Sequence, residues 1–205
     1  MNKILNLMGN GSLRLKFEFV ATIDESKEDQ YVVPATQLIN DFENLYVDGL
    51  YSDVVMKSAE GKEFEVHKAV LASRSAVLKA HFEHNTTESI TNIVESPLES
   101  EVLSDVLLFI YTDKMPNVVE IPEKLLAAAD YYQLSRLKSL CEVVLHKKLT
   151  VDNAIDTYQL ADLHSANTLK QLTLEFIKDG RQNLITKTEG WAKVQSVELL
   201  RTICE

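Results

Sequence analysis

The sequence predicts an α+β fold: a short β-sheet flanked by helices, followed by an all-helical annex. Three observations carry that expectation. Two strand-like runs, Asp53 to Lys57 and Glu63 to Val66, are joined through Ser58-Ala59-Glu60-Gly61, whose composition suits a hairpin turn. Further on, Val102, Leu103, Val106, Leu107 and Ile110 recur at helical spacing and define one buried face. Beyond Pro122 the pattern is helical only.

The elements follow in order. From Leu13 to Val20 the apolar Leu13, Leu15, Phe17 and Phe19 alternate with Arg14, Lys16 and Glu18, the period-two pattern of a half-buried strand. After Pro34 a helical pattern places Leu38, Phe42 and Leu45 on one face, with Ile39 and Tyr46 beside them. The hairpin then feeds into a helix over Lys68 to Ser73 and another over Ser75 to Phe82, the latter capped by Ser75. Asn92-Ile93-Val94 supplies a further strand, and the long amphipathic helix follows the turn at Pro97. The annex reads as Glu123 to Tyr132, Ser135 to Lys147, Val151 to His164 and Ala166 to Lys178. Ser135, Thr150 and Ser165 occupy expected N-cap positions, and Gly180 an expected left-handed C-cap.

Composition narrows the function classes. With 21 basic against 31 acidic residues the net charge is -10, which repels nucleic acid and anionic membranes. Cys141 and Cys204 form no CxxC pair, so neither a zinc site nor a disulfide framework is expected, and an intracellular location, nuclear or cytoplasmic, fits. No catalytic constellation assembles from the five histidines, and no cofactor is expected. His81 and His84 are three apart, a metal-capable spacing without the other half of a site. His67, at a strand-to-helix junction, reads as a structural histidine bonded to backbone. Trp191 reads as packing for the last helix.

The stretch YSDVVMKSAEGKEFEVHKAVLASRSAVLKAHFEH resembles the opening of a BTB/POZ domain. LLFIYTDKMPN and LLAAADYYQLSRLKSLCE look like that family's later helices, and LTVDNAIDTYQLADLHSANTLKQLTLEFI is similar to the helical BACK-type extension of speckle-type POZ proteins. The resemblance covers about residues 12 to 194 and implies three regions: 1-30, a remnant of a MATH-type domain's last strand plus linker; 31-148, a BTB/POZ domain with its dimerisation lead helix; and 149-205, a partial BACK-like extension. A single strand cannot form a substrate-receiving sandwich, so that function of the family is not expected here.

What the resemblance implies is a non-enzymatic adaptor of a cullin-3 ubiquitin ligase, in proteasome-linked ubiquitination, that homodimerises through Leu38, Phe42, Leu45 and Val70. Related BTB proteins are alternative partners, and the alternative functions are a truncated regulatory dimerisation partner of full-length MATH-BTB proteins or a BTB transcriptional or structural scaffold. The family's cullin-binding loop carries a hydrophobic residue, any residue, then glutamate, and this slot reads Thr86-Thr87-Glu88. Thr86 and Glu88 are therefore the expected cullin contacts, with Thr86 underfilling an apolar pocket at a cost of roughly 1 to 2 kcal/mol. On that basis Thr86→Met is expected to strengthen binding.

Overall fold

The computed structural model describes residues 35–83, 86–179 and 181–192. By its contacts the chain divides into two units, Met1–Thr36 and Gln37–Glu205, and every element below lies in the second. The expected strand over residues 13–20, His84, Gly180 and Cys204 lie outside the described residues.

Helix α1, Leu38–Asp48, ends where Gly49 adopts a left-handed conformation at φ 61°, a C-cap that glycine takes without a Cβ clash. It has no fully buried residue and leans on the core only through the half-buried Phe42, Leu45 and Tyr46. Strands β1, Val54–Lys57, and β2, Glu63–Val66, pair antiparallel with Met56 opposite Phe64. Their turn closes with the Ser58 N–H donating to the Lys62 carbonyl at 2.9 Å, and Gly61 takes φ 82° there. Val54, Met56, Phe64 and Val66 face inward, as the alternation requires.

Strand β3, Ile93–Glu95, adds to β1 in parallel and gives the order β2-β1-β3. A parallel neighbour needs a crossover, here three helices: α2, Lys68–Arg74; α3, Ala76–Glu83; and α4, Thr87–Thr91. Helix α5, Ser100–Thr112, runs through the core with nine buried residues, which is why its sequence is so apolar. It packs between α1 and α6, Pro122–Tyr131. Helix α7, Ser135–Lys147, packs on α6 on one side and on the annex helix α9, Asn167–Lys178, on another. The annex is completed by α8, Ala154–Leu163, α10, Gln182–Ile185, and α11, Glu189–Ala192.

Caps separate expectation from structure. Ser75 behaves as expected: its Oγ accepts from the Leu78 N–H at 3.2 Å and donates to the Tyr132 carbonyl at 2.7 Å. Ser135 is instead the first residue of α7, one place after the N-cap Leu134. Thr150 and Asn153 bond each other reciprocally, Asn153 N–H to Thr150 Oγ1 at 3.3 Å and Thr150 N–H to Asn153 Oδ1 at 2.7 Å. That closed turn delays α8 to Ala154. Ser165 takes φ 51° to make the sharp α8–α9 turn, so the capping position falls to Ala166.

Two apolar clusters hold the unit together. The larger one runs from the sheet through α5, α6 and α7 and includes Ala161, Ala166 and Leu169 of the annex. The smaller one gathers Ala154, Ile155, Tyr158, Ile177 and Ile185, with Trp191 packed against it as the sequence suggested. Gly190 lies so close to Ile155 that a Cβ there would come within 3.2 Å of the Ile155 Cβ, a contact that favours glycine. Thr173 is fully buried on α9 and its hydroxyl has no protein partner. Replacing Thr173 by valine keeps the shape and removes that hydroxyl, with an expected gain of about 1 kcal/mol. A thermal melt should rise by roughly 2 to 4 °C, and an unchanged midpoint would mean that the hydroxyl is satisfied.

Candidate protein-interaction surfaces

Two surfaces gather the residues singled out from the sequence. The first is built on α1. Leu38 and Ile39 are 62% and 47% exposed. Together with Phe42, Val70 of α2, and Ile110 and Tyr111 of α5 they line a cavity of about 320 Å³. Of the four residues expected at a dimer seam, Leu38, Phe42 and Val70 are thus brought together. Leu45 does not line the cavity; like Phe42 and Val70 it is half-buried against the chain's own core. Tyr111, missed by sequence reasoning, forms the cavity wall; nothing in the α5 periodicity marks it, because its position depends on a contact 44 residues away.

That contact is with His67. The His67 N–H donates to the Tyr111 hydroxyl oxygen at 2.9 Å, its Nδ1 lies 2.7 Å from the same oxygen, and its Nε2 lies 2.7 Å from the Leu50 carbonyl oxygen. A carbonyl only accepts, so Nε2 carries the ring proton and Nδ1 receives the tyrosine O–H. His67 is buried and structural. Burial pushes the Tyr111 hydroxyl up to about 12, so it stays a donor. The Tyr46 ring packs 5.1 Å from that of Tyr111, which carries the bond network into α1. In the cavity lining Arg74 pairs with Asp113; elsewhere Arg136 Nε lies 3.6 Å from the same carboxylate, and Lys114 ties Glu43 of α1 to the segment after α5. The result is an apolar recess whose two charged lining residues, Arg74 and Asp113, neutralise each other.

The second surface is the segment from α3 to β3. Thr86 is the N-cap of α4: its Oγ1 accepts from the Ser89 N–H at 3.1 Å and donates to the His81 carbonyl at 2.7 Å. Glu88 turns back on the helix start, where its own backbone N–H, the Thr86 hydroxyl and His81 hold its carboxyl below the ordinary range. His81 Nδ1 lies 3.6 Å from Glu88 Oε1. Both expected contact residues therefore have structural work within the chain. Sequence reasoning treated this stretch as a loop, although Thr86 followed by Glu88 and Ser89 carries the composition of a helix start. Among the described residues no group of three or more His, Cys, Asp or Glu side chains is arranged to hold a metal. Burial raises the Cys141 thiol to about 12, which leaves it unreactive.

The family model of the BTB/POZ domain matches residues 42–149, from within α1 to just past α7. This chain belongs to the BTB/POZ domain family. A solved structure similar to it is the BTB domain of zebrafish PATZ1, at 24% sequence identity and a TM-score of 0.47. The similarity covers 57% of this chain and 98% of that one. The architecture is thus an α+β BTB fold with a helical C-terminal extension, α8 to α11, beyond the matched span. A BTB domain is a protein-interaction and dimerisation domain, not a catalytic one, so recesses on its surface are read as seats for other chains. Among the described residues no helix is long and apolar enough to cross a membrane.

Proposed function

We propose that this BTB protein is an adaptor of a cullin-3 ubiquitin ligase, related to the speckle-type POZ proteins, that homodimerises through Leu38, Phe42 and Val70 with Leu45 supporting the seam from within. The observation that carries the reading is the outward apolar face of α1 and its cavity against α2 and α5. A monomer would leave that face in water, and a dimer displays two cullin-binding faces at once. In the same reading residues 31-148 are the BTB domain and the helices that follow it a BACK-like extension. The adaptor does no chemistry; it supplies geometry.

A second reading, a dimerisation partner that regulates related BTB chains, is favoured by one observation. Thr86 and Glu88 are engaged inside α4 and with His81. Titration calorimetry against the purified cullin-3 N-terminal region separates the two. Binding is expected, weakened several-fold by Glu88→Ala. Thr86→Met should bring no net gain, because losing the N-cap costs about 1 kcal/mol, close to what the larger side chain would contribute. No detectable heat with a folded, dimeric chain sinks the adaptor reading and leaves the regulatory one.

A further inference from the structure

The sheet ends in a free edge beside a groove. In β1 the Val55 N–H donates to the Asn92 carbonyl and the Lys57 carbonyl accepts from the Ser96 N–H, both on the β3 side. The backbone groups of β1 and its turn that hold β2 are therefore those of Val54, Met56 and Ser58, whose partners are Val66, Phe64 and Lys62. The N–H and C=O groups of Glu63 and Glu65 point the other way, and among the described residues no strand pairs with them. Between this edge and the tail of α1 lies a groove of about 340 Å³, walled by Tyr46, Val47, Asp48 and Gly49 on one side and by residues 62–65 on the other. Just past it the Gly49 carbonyl accepts from the Ser52 N–H at 3.2 Å, closing a turn whose third residue, Tyr51, takes φ 60°. That left-handed position suits glycine and strains a bulky residue. Tyr51 is nevertheless 92% exposed, so burial within the described chain does not offset the strain, and Val47 and Leu50 near it are exposed as well.

We propose that this edge binds an extended peptide in which basic and apolar residues alternate, taken up as a further strand beside β2. The outward backbone groups of Glu63 and Glu65 supply the ladder bonds. Side chains opposite one another across a strand pair share a face, so peptide residues two apart meet the two glutamates. Charge selects lysine or arginine for those places. Glu65 and Asp48 have no ion-pair partner among the described residues, and Glu63, itself more than half exposed, has Lys57 at 2.9 Å. The same glutamates exclude a second copy of this edge, which would set carboxylate against carboxylate. Val47, Leu50 and Tyr51 offer a surface to the peptide's apolar residues, with the strained tyrosine as a preset aromatic anchor. The groove shares no residue with the cavity on α1, α2 and α5, so the proposal goes beyond the dimer and adaptor readings and stands without either.

The test uses the full chain and a fluorescein-labelled synthetic heptapeptide in which lysine alternates with valine, read by fluorescence polarisation. Saturable micromolar binding is expected, and the same peptide with glutamate for lysine should bind at least about tenfold more weakly. Glu63→Lys together with Glu65→Lys, both at exposed positions, should reverse that preference. Of two lysine peptides methylated at alternate sets of backbone nitrogens, one should lose binding and the other keep it, because only one edge of an added strand faces β2. Tyr51→Gly relieves the turn, so its melting midpoint should be no lower than that of wild type while binding weakens about fivefold. A tyrosine that served the turn alone would leave binding unmoved and remove the anchor from the proposal. No saturable binding by the folded wild-type chain, a preference that the double charge reversal leaves in place, or two methylated peptides that bind alike overturns the edge as a strand-binding site.

Discussion

Replacing Leu38 and Phe42 together by aspartate is expected to turn a particle of about twice the 23.2 kDa chain mass into a monomer in light scattering. The two residues supply much of the apolar surface of α1, and a two-fold interface places each of them in the seam twice. Four carboxylates would then be desolvated, each at a cost of several kcal/mol, against a seam whose rim cations Arg74 and Lys114 are already paired with Asp113 and Glu43. The fold should survive, because α1 has no fully buried residue, and an unchanged far-UV circular dichroism spectrum would establish that. A wild-type chain that scatters as a monomer at micromolar concentration removes the premise, and a double variant that remains dimeric moves the seam elsewhere.

Asp105 carries the second large effect. It lies on α5 and is only 5% exposed; Oδ1 accepts from Asn117 Nδ2 at 3.1 Å, and Oδ2 has no protein partner. Burial, reinforced by the Glu101 and Glu120 carboxylates and opposed by Asn117, raises its pKa above the ordinary aspartate range. A carboxyl that holds its proton more tightly folded than unfolded stabilises the fold at acidic pH. That contribution is lost as pH rises through the folded-state pKa. Asp105→Asn keeps the acceptor for Asn117 and never ionises, so at pH 7 it should be more stable than wild type by about 1 to 3 kcal/mol, roughly 2 to 12 °C in melting midpoint. The gap should shrink toward pH 4. Taking the difference between the two melting curves cancels the opposite slope of the acidic groups held low, such as Glu60 and Glu88. A gap that does not change between pH 4 and 8 would refute the assignment.

The elements whose formation depends on local pattern are legible in the sequence. The alternation over β1 and β2, the apolar stripe of α5 and the helical run from α6 to α9 all emerged close to their observed limits. What local pattern does not encode is which turn a chain must make to bring distant elements together. Ser165 resembles a cap in sequence and is instead the left-handed corner between α8 and α9. Helix α4 is too short to show a period, and α10 and α11 shorter still. At the surfaces, helical spacing put Leu38, Phe42 and Leu45 on one stripe of α1 but could not tell that Leu38 and Phe42 line the cavity while Leu45 does not. Tyr111 and Ile90 were invisible for opposite reasons. One is defined by a hydrogen bond across 44 residues, the other by the exposure of a side chain on a five-residue helix.

The bridge from Tyr111 through His67 to the Leu50 carbonyl bears on how fast subunits meet. It grips the chain two residues after α1 ends, while Tyr46 rests on the Tyr111 ring within α1, so the helix is clamped at its tail and along its length. In the proposed dimer, the face that α1 offers to a second subunit is therefore already aimed before encounter. Association need only freeze side chains such as Leu38 and Ile39, about 0.5 to 1.5 kcal/mol apiece, without refolding a backbone segment. A clamped helix also turns encounter into a search over orientations alone, which places the on-rate in the ordinary range for rigid docking, about 10⁵ to 10⁷ M⁻¹s⁻¹.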